Sequence, residues 1–433
     1  MKTLLINGYV ALPTEVIQAD VLLDAGKIST IGQNLQDQIN GADQVIDLAG
    51  QVLAPGLIDL HVHFRQPGFT DKETVRTGSL AAAHGGFTTV CAMPNLEPVP
   101  DNVEQFKKML VLNHDDGVVH IKQYATITMN RVAGQLVDFQ ELKNAGAFGF
   151  SNDGSGIQTA KEMYDAMQAA QAVALPICAH VEDAALKGNG VMNAGPVADK
   201  LGLPGIPTIS ETAQLARDLV LAAETGVHYH VCHVSTAQSV DLIRRAKAAG
   251  VRVTAEVSPH HLFLDETMIT YDNPMLKMNP PLRRPEDRQA LLNGLLDGTI
   301  DLIATDHAPH TAAEKTGSML TAAFGITGLE TSFAECYTHL VRPGICTLTQ
   351  LLQWMSLKPA QLFNLQGAGK IAVGQTADLV ILNLAQPYEI KVEDMQSKGK
   401  NSPFIGEQVY GQVVMTIVAG KIVYQQHQAS TTR

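Results

Sequence analysis

The sequence predicts an α/β protein built on a (β/α)8 TIM-like barrel, with a small β-sandwich domain assembled from both chain ends. Three observations carry that prediction. Between residues 53 and 365, short apolar runs alternate with helical stretches, the pattern of repeated βα units around a parallel sheet. Both ends read instead as short strands punctuated by tight turns. In the middle, several of the apolar runs end on histidine or aspartate, at the barrel face where functional groups usually sit.

Taken in order, the first fifty residues give strands at 3–6, 21–24, 28–31 and 45–47, separated by Asn7-Gly8, Ala25-Gly26 and Gly50. The same signature returns at 378–382, 413–418 and 422–424. Two half-sheets at opposite termini most simply form one domain, 1–52 with 366–433, leaving 53–365 as a continuous insertion. Within it the expected strands are 57–63, 87–93, 121–127, 147–150, 175–180, 228–233, 251–257 and 301–306. Helices such as 210–224, 237–249 and 285–296 lie between them. Eight strands over that length suggest a closed barrel. An open doubly wound sheet would need Gly-rich phosphate loops, and none is visible.

At 433 residues the chain exceeds the usual single-domain size, which fits a large domain with a smaller companion. A net charge of −12, with only 17% charged residues, argues against nucleic acid or an anionic membrane as the main partner. The apolar run in Met1-Lys2-Thr3-Leu4-Leu5-Ile6-Asn7-Gly8 is too short for a signal peptide, and no stretch reads as a membrane span. Cys91, Cys178, Cys232, Cys336 and Cys346 are odd in number and mostly embedded in apolar runs. They read as reduced, buried thiols, and the expected location is cytoplasmic.

His61-Val62-His63 ends the first barrel strand. Alternate residues of a strand share a face, so both imidazoles point the same way from its carboxyl end. Asp153 follows strand four, and His180, His233 and Asp306 close strands five, six and eight. Singly, His180 or His233 is equally a hydrogen-bonded core histidine, and Asp153 before Gly154 an ordinary turn aspartate. Jointly, four histidines and two carboxylates suit a borderline metal such as Zn²⁺ and exceed what one tetrahedral ion needs. The economical expectation is two Zn²⁺ bridged by Asp153 and a hydroxide, with His61 and His63 on one ion and His180 and His233 on the other. Asp306 is expected as a ligand carboxylate and general base, moving a proton from the attacking hydroxide to a leaving nitrogen. His228 and His230 read as packing residues, and His230, three before His233, is expected to face the other side. His260-His261 either orients the site or holds a loop.

Groups suited to an anionic, planar ligand surround these residues. Arg65 follows the paired histidines by two residues and offers a bidentate fork for a carboxylate. Asn95 after strand two and Asn279 after strand seven each offer a donor and an acceptor. His310 lies beyond strand eight, on a loop running through Glu314-Lys315-Thr316-Gly317 to Phe324-Gly325. That loop reads either as a lid whose backbone amides reach the ligand or as a mobile surface loop.

Pro55-Gly56-Leu57-Ile58-Asp59-Leu60-His61-Val62-His63, followed by Phe64-Arg65-Gln66-Pro67-Gly68, resembles the opening of the cyclic amidohydrolases. Ala92-Met93-Pro94-Asn95, Cys232-His233-Val234-Ser235-Thr236, Glu256-Val257-Ser258-Pro259-His260-His261 and Thr305-Asp306-His307-Ala308-Pro309-His310 resemble later blocks of one branch, the class I dihydroorotases. Alone, the first block indicates only the superfamily; together they cover nearly the whole chain. The resemblance implies reversible cyclisation of N-carbamoyl-L-aspartate to (S)-dihydroorotate with loss of water, an early step of de novo pyrimidine synthesis. Position by position, it implies metal ligands His61, His63, Asp153, His180, His233 and Asp306, with Asp306 catalytic. It implies substrate contacts from His63, Phe64, Arg65, Asn95, Asn279, His310 and the Phe324-Gly325 backbone. The partners it implies are a small-molecule substrate, a second copy in a homodimer, and aspartate transcarbamoylase.

One position discriminates within the superfamily. Hydantoinases, allantoinases and class II dihydroorotases typically bridge their metals with a carboxylated lysine near the end of strand four, whereas this segment reads Phe150-Ser151-Asn152-Asp153 and holds no lysine between Lys143 and Lys161. Two departures stand out: Asn152 where relatives often carry a second aspartate, and Ala323 where proline is common. The first could weaken one metal position and the second could loosen the lid. The rival readings are a hydantoinase- or allantoinase-like enzyme, against which Arg65 and Asn95 argue, and a metal-free scaffold for aspartate transcarbamoylase. Scaffolds of that kind lose ligands, and all six are present here.

Overall fold

The computed structural model describes residues 2–38 and 41–426. Positions 427–433 of the expected terminal domain lie outside the described residues.

Parallel segments close a barrel. Leu57–Val62, Phe87–Ala92 and His120–Gln123 pair in that order, and Ile177–Ala179, Tyr229–Val231, Val253–Val257 and Leu302–Ile303 form a second parallel run. The expected fourth strand contracts to a single rung, in which Phe150 bridges Ala125 on one side and Ile177 on the other. His307 then bridges Val62 and completes the ring.

Strands six and eight stop earlier than the sequence pattern predicts, and the backbone turns at their expected ends. Arg65, His233 and Asp306 carry φ of 59°, 34° and 49°. For non-glycine residues such left-handed conformations cost on the order of 1 kcal/mol or more, and they break the alternation of side chains along the chain. This corrects the expectation for His230. Its ring lies inside the barrel, 5.1 Å from that of Phe363, because the turn at His233 removes the regular alternation that would have put the two histidines on opposite faces.

The barrel interior is filled by Ile58, Leu60, Cys91, Met93, Tyr124, Cys178, Cys232 and Leu302, with Phe363 beneath them. All five cysteines are free and buried. Helices around the ring begin at side-chain caps that satisfy otherwise orphaned amides. Thr74 caps Val75–His84, Asn102 caps Val103–Asp116, Thr159 caps Ala160–Ala172 and Thr236 caps Ala237–Ala248. No helix among the described residues is long and apolar enough to cross a membrane.

The terminal strands form one eight-stranded sheet in the order Lys421–Gln425, Gln412–Val418, Leu379–Asn383, Val52–Pro55, Lys2–Ala11, Val16–Asp24 and Lys27–Gly32, with Gln44–Asp47 paired beside Lys2–Ala11. Its far-edge strand is tied to the segment leading into Leu379–Asn383: Ile28 exchanges backbone hydrogen bonds with Gly374 and Gln375. Leu5, Ile28, Ile381 and Ile417 share one core against this sheet. Val52–Pro55 passes through Gly56 directly into the first barrel strand. A Cβ at Gly56 would lie 2.2 Å from Thr88 Oγ1, so only glycine lets the backbone pass there. The terminal sheet thereby fixes the start of the strand that ends in His61 and His63.

Candidate metal centre

Each predicted ligand reaches the carboxyl-end face of the barrel, and all six are buried. Asp153 is the hub. Its Oδ1 lies 3.4 Å from His61 Nε2, 3.7 Å from His180 Nδ1 and 3.5 Å from His233 Nε2, while Oδ2 lies 3.4 Å from His63 Nε2. Asp306 Oδ1 sits 3.4 Å from His61 Nε2 and 3.1 Å from His63 Nε2. The donors therefore fall into two triads, His61–His63–Asp306 and Asp153–His180–His233, joined by the Asp153 carboxylate.

The donor set fits divalent cations. Among the described residues, His61 Nε2 and Asp153 Oδ1 are buried and accept or donate no hydrogen bond, which is costly for polar atoms unless something else satisfies them. Burial opposes charge on His61, but Asp153, Glu256 and Asp306 outweigh it and hold the imidazole pKa well above its usual range. Burial likewise favours the neutral form of Asp306, and His61 and His63 overcome it, so this carboxylate stays ionised well below the normal carboxylate range. Cys232 lies next to His61 and Asp153, yet burial and Glu256 raise its thiol pKa and keep it neutral.

Behind the ligands stands a support layer that sequence reasoning left without roles. His61 Nδ1 donates to Glu256 Oε1 at 2.6 Å, and Glu256 Oε2 accepts from His230 Nε2 at 2.9 Å. Thr254 Oγ1 then links His230 Nδ1 and His228 Nε2, at 2.8 and 2.9 Å. A polar line thus runs down the barrel from the metal ligands to His228, so the two histidines expected only to pack belong to a hydrogen-bonded chain. Glu182 accepts from Asn279 Nδ2 at 2.7 Å and lies 3.7 Å from His180 Nε2. Arg131 donates to the backbone carbonyls of Asn152 and Asp153. The available sequence signal was Glu256 itself, on the same face and end of its strand as the ligands.

The expected substrate groups gather around the same mouth. Asn95 Oδ1 accepts from His63 Nδ1 at 2.8 Å, so Asn95 orients a ligand as well as facing the site. Arg65 donates to the Pro309 carbonyl and lies 3.5 Å from His310 Nε2. His310 Nε2 donates to the Phe324 carbonyl at 2.8 Å, and burial together with Arg65 holds its pKa down at about 3. Phe64 differs from the rest: its ring is buried in the core beneath helix Val75–His84, where a Cβ on Gly78 would come within 2.4 Å of it. Only the Phe64 backbone remains near the mouth.

The loop carrying Phe324 and Gly325 is tied down from below. Lys315 Nζ donates to the carbonyls of Lys277, Ala323 and Gly325, each at 3.0 Å, and Lys277 Nζ donates back to those of Met319 and Ala322. Asn401 adds a clamp that the sequence did not reveal, accepting from His310 N and donating to the Ala308 and Gly325 carbonyls. Asn152, the first departure from the family pattern, turns away from the ligands and bonds Ile127 N, Thr128 N and Thr128 Oγ1. His261 holds a loop, bridging Ser258 Oγ and the Pro280 carbonyl.

Comparison with known proteins decides the family. A model described as dihydro-orotase-like matches residues 50–239. A dihydroorotase of Pediococcus pentosaceus is 61% identical over 426 residues, covering 98% of this chain and 99% of the relative. The chain belongs to the dihydroorotase family. A dihydroorotase of Ligilactobacillus salivarius is 59% identical across 99% of this chain and all of its own length. Among solved structures, an L-hydantoinase (dihydropyrimidinase) from Arthrobacter aurescens superimposes with a TM-score of 0.87 at 27% identity, covering 99% of this chain and 97% of that one. A dihydropyrimidinase from Brevibacillus agri follows the same fold with a TM-score of 0.85 at 25% identity, covering 99% and 96%. The dihydroorotase fold is accordingly that of the cyclic amidohydrolase barrels, with a donor set at its mouth capable of holding metal.

Proposed function

We propose that this protein is a zinc-dependent dihydroorotase, interconverting N-carbamoyl-L-aspartate and (S)-dihydroorotate in pyrimidine biosynthesis. The carrying observation is the Asp153 carboxylate set between two imidazole pairs, where an aspartate rather than a lysine joins the two triads. His61, His63 and Asp306 would hold one Zn²⁺ and His180 and His233 the second, with Asp153 shared. Bound ions supply Lewis acidity, polarising the scissile carbonyl and making water nucleophilic near neutral pH.

The chain's own residues do the rest. In ring opening, Asp306, ionised at working pH, takes the proton from the attacking water and delivers it to the departing ring nitrogen; ring closure reverses both transfers and releases water. Arg65, with Asn95 and His310, binds the ring carboxylate, and Asn279 with the Phe324-Gly325 backbone holds the amide face. Phe64 contributes through its backbone.

The proposal extends to the domain limits, 53–365 for the barrel and 1–52 with 366–433 for the terminal domain, and to a cytoplasmic homodimer that docks aspartate transcarbamoylase. The family resemblance supports the assembly, and buried free cysteines support the compartment.

Purified protein should turn over dihydroorotate and leave hydantoin untouched, and chelator treatment should remove the activity. Preference for hydantoin would replace the substrate assignment, and activity surviving exhaustive metal removal would sink the mechanism.

A further inference from the structure

A second cluster of metal-type donors lies outside the barrel mouth. Glu335 belongs to helix Ser332–Cys336, which runs on into a wider π-type turn over Tyr337–Val341. Its side chain is fully buried, yet neither carboxylate oxygen accepts a hydrogen bond among the described residues. An anion buried that way is unfavourable unless a cation answers it. His339, four residues on and so on the same helical face, brings Nε2 to 3.3 Å from Glu335 Oε2. Glu407, from the turn after Phe404, brings Oε2 to 4.0 Å from the same nitrogen.

The six-residue centre at the barrel mouth supplies an internal standard. There, the donor atoms of each triad lie within 4.8 Å of one another, and His61 Nε2 and Asp153 Oδ1 are buried without hydrogen bonds among the described residues. Glu335, His339 and Glu407 repeat both traits: donor atoms clustered within 4.8 Å, and buried oxygens with no partner. Turns of π type also recur at functional positions in helices. We infer that Glu335, His339 and Glu407 form an additional divalent-cation site of the Zn²⁺ or Mn²⁺ class. His339 and Glu407 are close to half exposed, so solvent fills the remaining coordination positions.

The site's position gives it a structural purpose. It joins the helix after the last barrel strand to the segment that carries Asn401, six residues before Glu407, and Asn401 clamps His310 and Gly325 at the mouth. Ser397 of the same segment bonds buried Glu73. An ion held by Glu335, His339 and Glu407 would anchor one end of that strap.

The inference is independent of the reaction assigned above. Full-length wild type, His339→Ala and Glu335→Gln are equilibrated with excess Zn²⁺, freed of loose metal by gel filtration, and analysed for zinc per subunit by plasma mass spectrometry. The expected result is one equivalent fewer in each variant, with dihydroorotate turnover within about twofold of wild type and a smaller rise of Tm on adding Zn²⁺. Because His339 is partly exposed, His339→Ala should fold even if Glu335→Gln does not. Identical zinc content in wild type and His339→Ala overturns the site, as does a variant whose missing zinc comes from the barrel mouth, recognised by lost turnover.

Discussion

Glu256 Oε1 accepts a 2.6 Å hydrogen bond from His61 Nδ1, across 195 residues of sequence. That bond fixes the ring's orientation and turns Nε2 toward Asp153 and Asp306. Burial disfavours the Glu256 charge, but His61 and His230 more than offset it and hold the carboxyl at about 2. The glutamate is therefore a permanent anion behind the ligand. Glu256→Gln should weaken metal retention or turnover by about 10–100-fold, read by chelator competition alongside kcat. An unchanged metal affinity and kcat would remove Glu256 from the site's support.

Asp153 and Asp306 should separate in a paired experiment. Asp153 touches both triads, so Asp153→Asn is expected to lower metal content and activity together. Asp306→Asn should keep most of the metal while turnover falls by about 10²–10⁴-fold, the usual worth of a positioned acid–base group. Equal metal loss in both variants would reduce Asp306 to a ligand.

Asn401 is buried and makes three hydrogen bonds to the loop that bears His310 and Gly325. Truncation to alanine strands those partners at a cost of about 1–3 kcal/mol. The expected signature of Asn401→Ala is a rise in KM for dihydroorotate larger than the fall in kcat. A pure loss of kcat with KM intact would contradict a positioning role.

Acid should destabilise the protein as the pH falls below the ordinary histidine value. Burial holds His228 and His310 at about 3 and His260 at about 4, against an ordinary 6.5. Above pH 6.5 each is neutral whether folded or unfolded, and its titration leaves stability unchanged. Below it, the unfolded chain takes up protons that the folded chain refuses, so stability falls by about 1.4 kcal/mol per pH unit for each histidine. Unfolding midpoints in denaturant between pH 7 and 4.5 should show that slope, shallower by one proton in His228→Gln. A flat profile down to pH 5 would be incompatible with three buried neutral imidazoles.

The ligands were legible because their signal is local. His61 and His63 follow from the two-residue period of a strand, and His180, His233 and Asp306 each close an apolar run. What stayed hidden depends on contacts between distant positions. Glu256 looks like any strand residue until His61 and His230 arrive beside it, and Asn401 sits in a segment with no periodic pattern at all. His230 was misassigned because strict alternation ignores a left-handed residue at the strand end. The fourth strand shrank to Phe150, which alone bridges Ala125 and Ile177.

Lys277 and Lys315 tie two loops together: the Lys277 amine donates to the Met319 and Ala322 carbonyls of the other loop, and the Lys315 amine donates to the Lys277 carbonyl as well as to two carbonyls of its own loop. Parting the loops strips the Lys277 amine of both these acceptors and the Lys315 amine of one of its three, so the two loops are expected to move together. The mouth should therefore behave as a single-leaf door with two bolts. Its opening would appear as one relaxation shared by residues 274–279 and 311–325, and a neutral replacement at either lysine should speed both halves together.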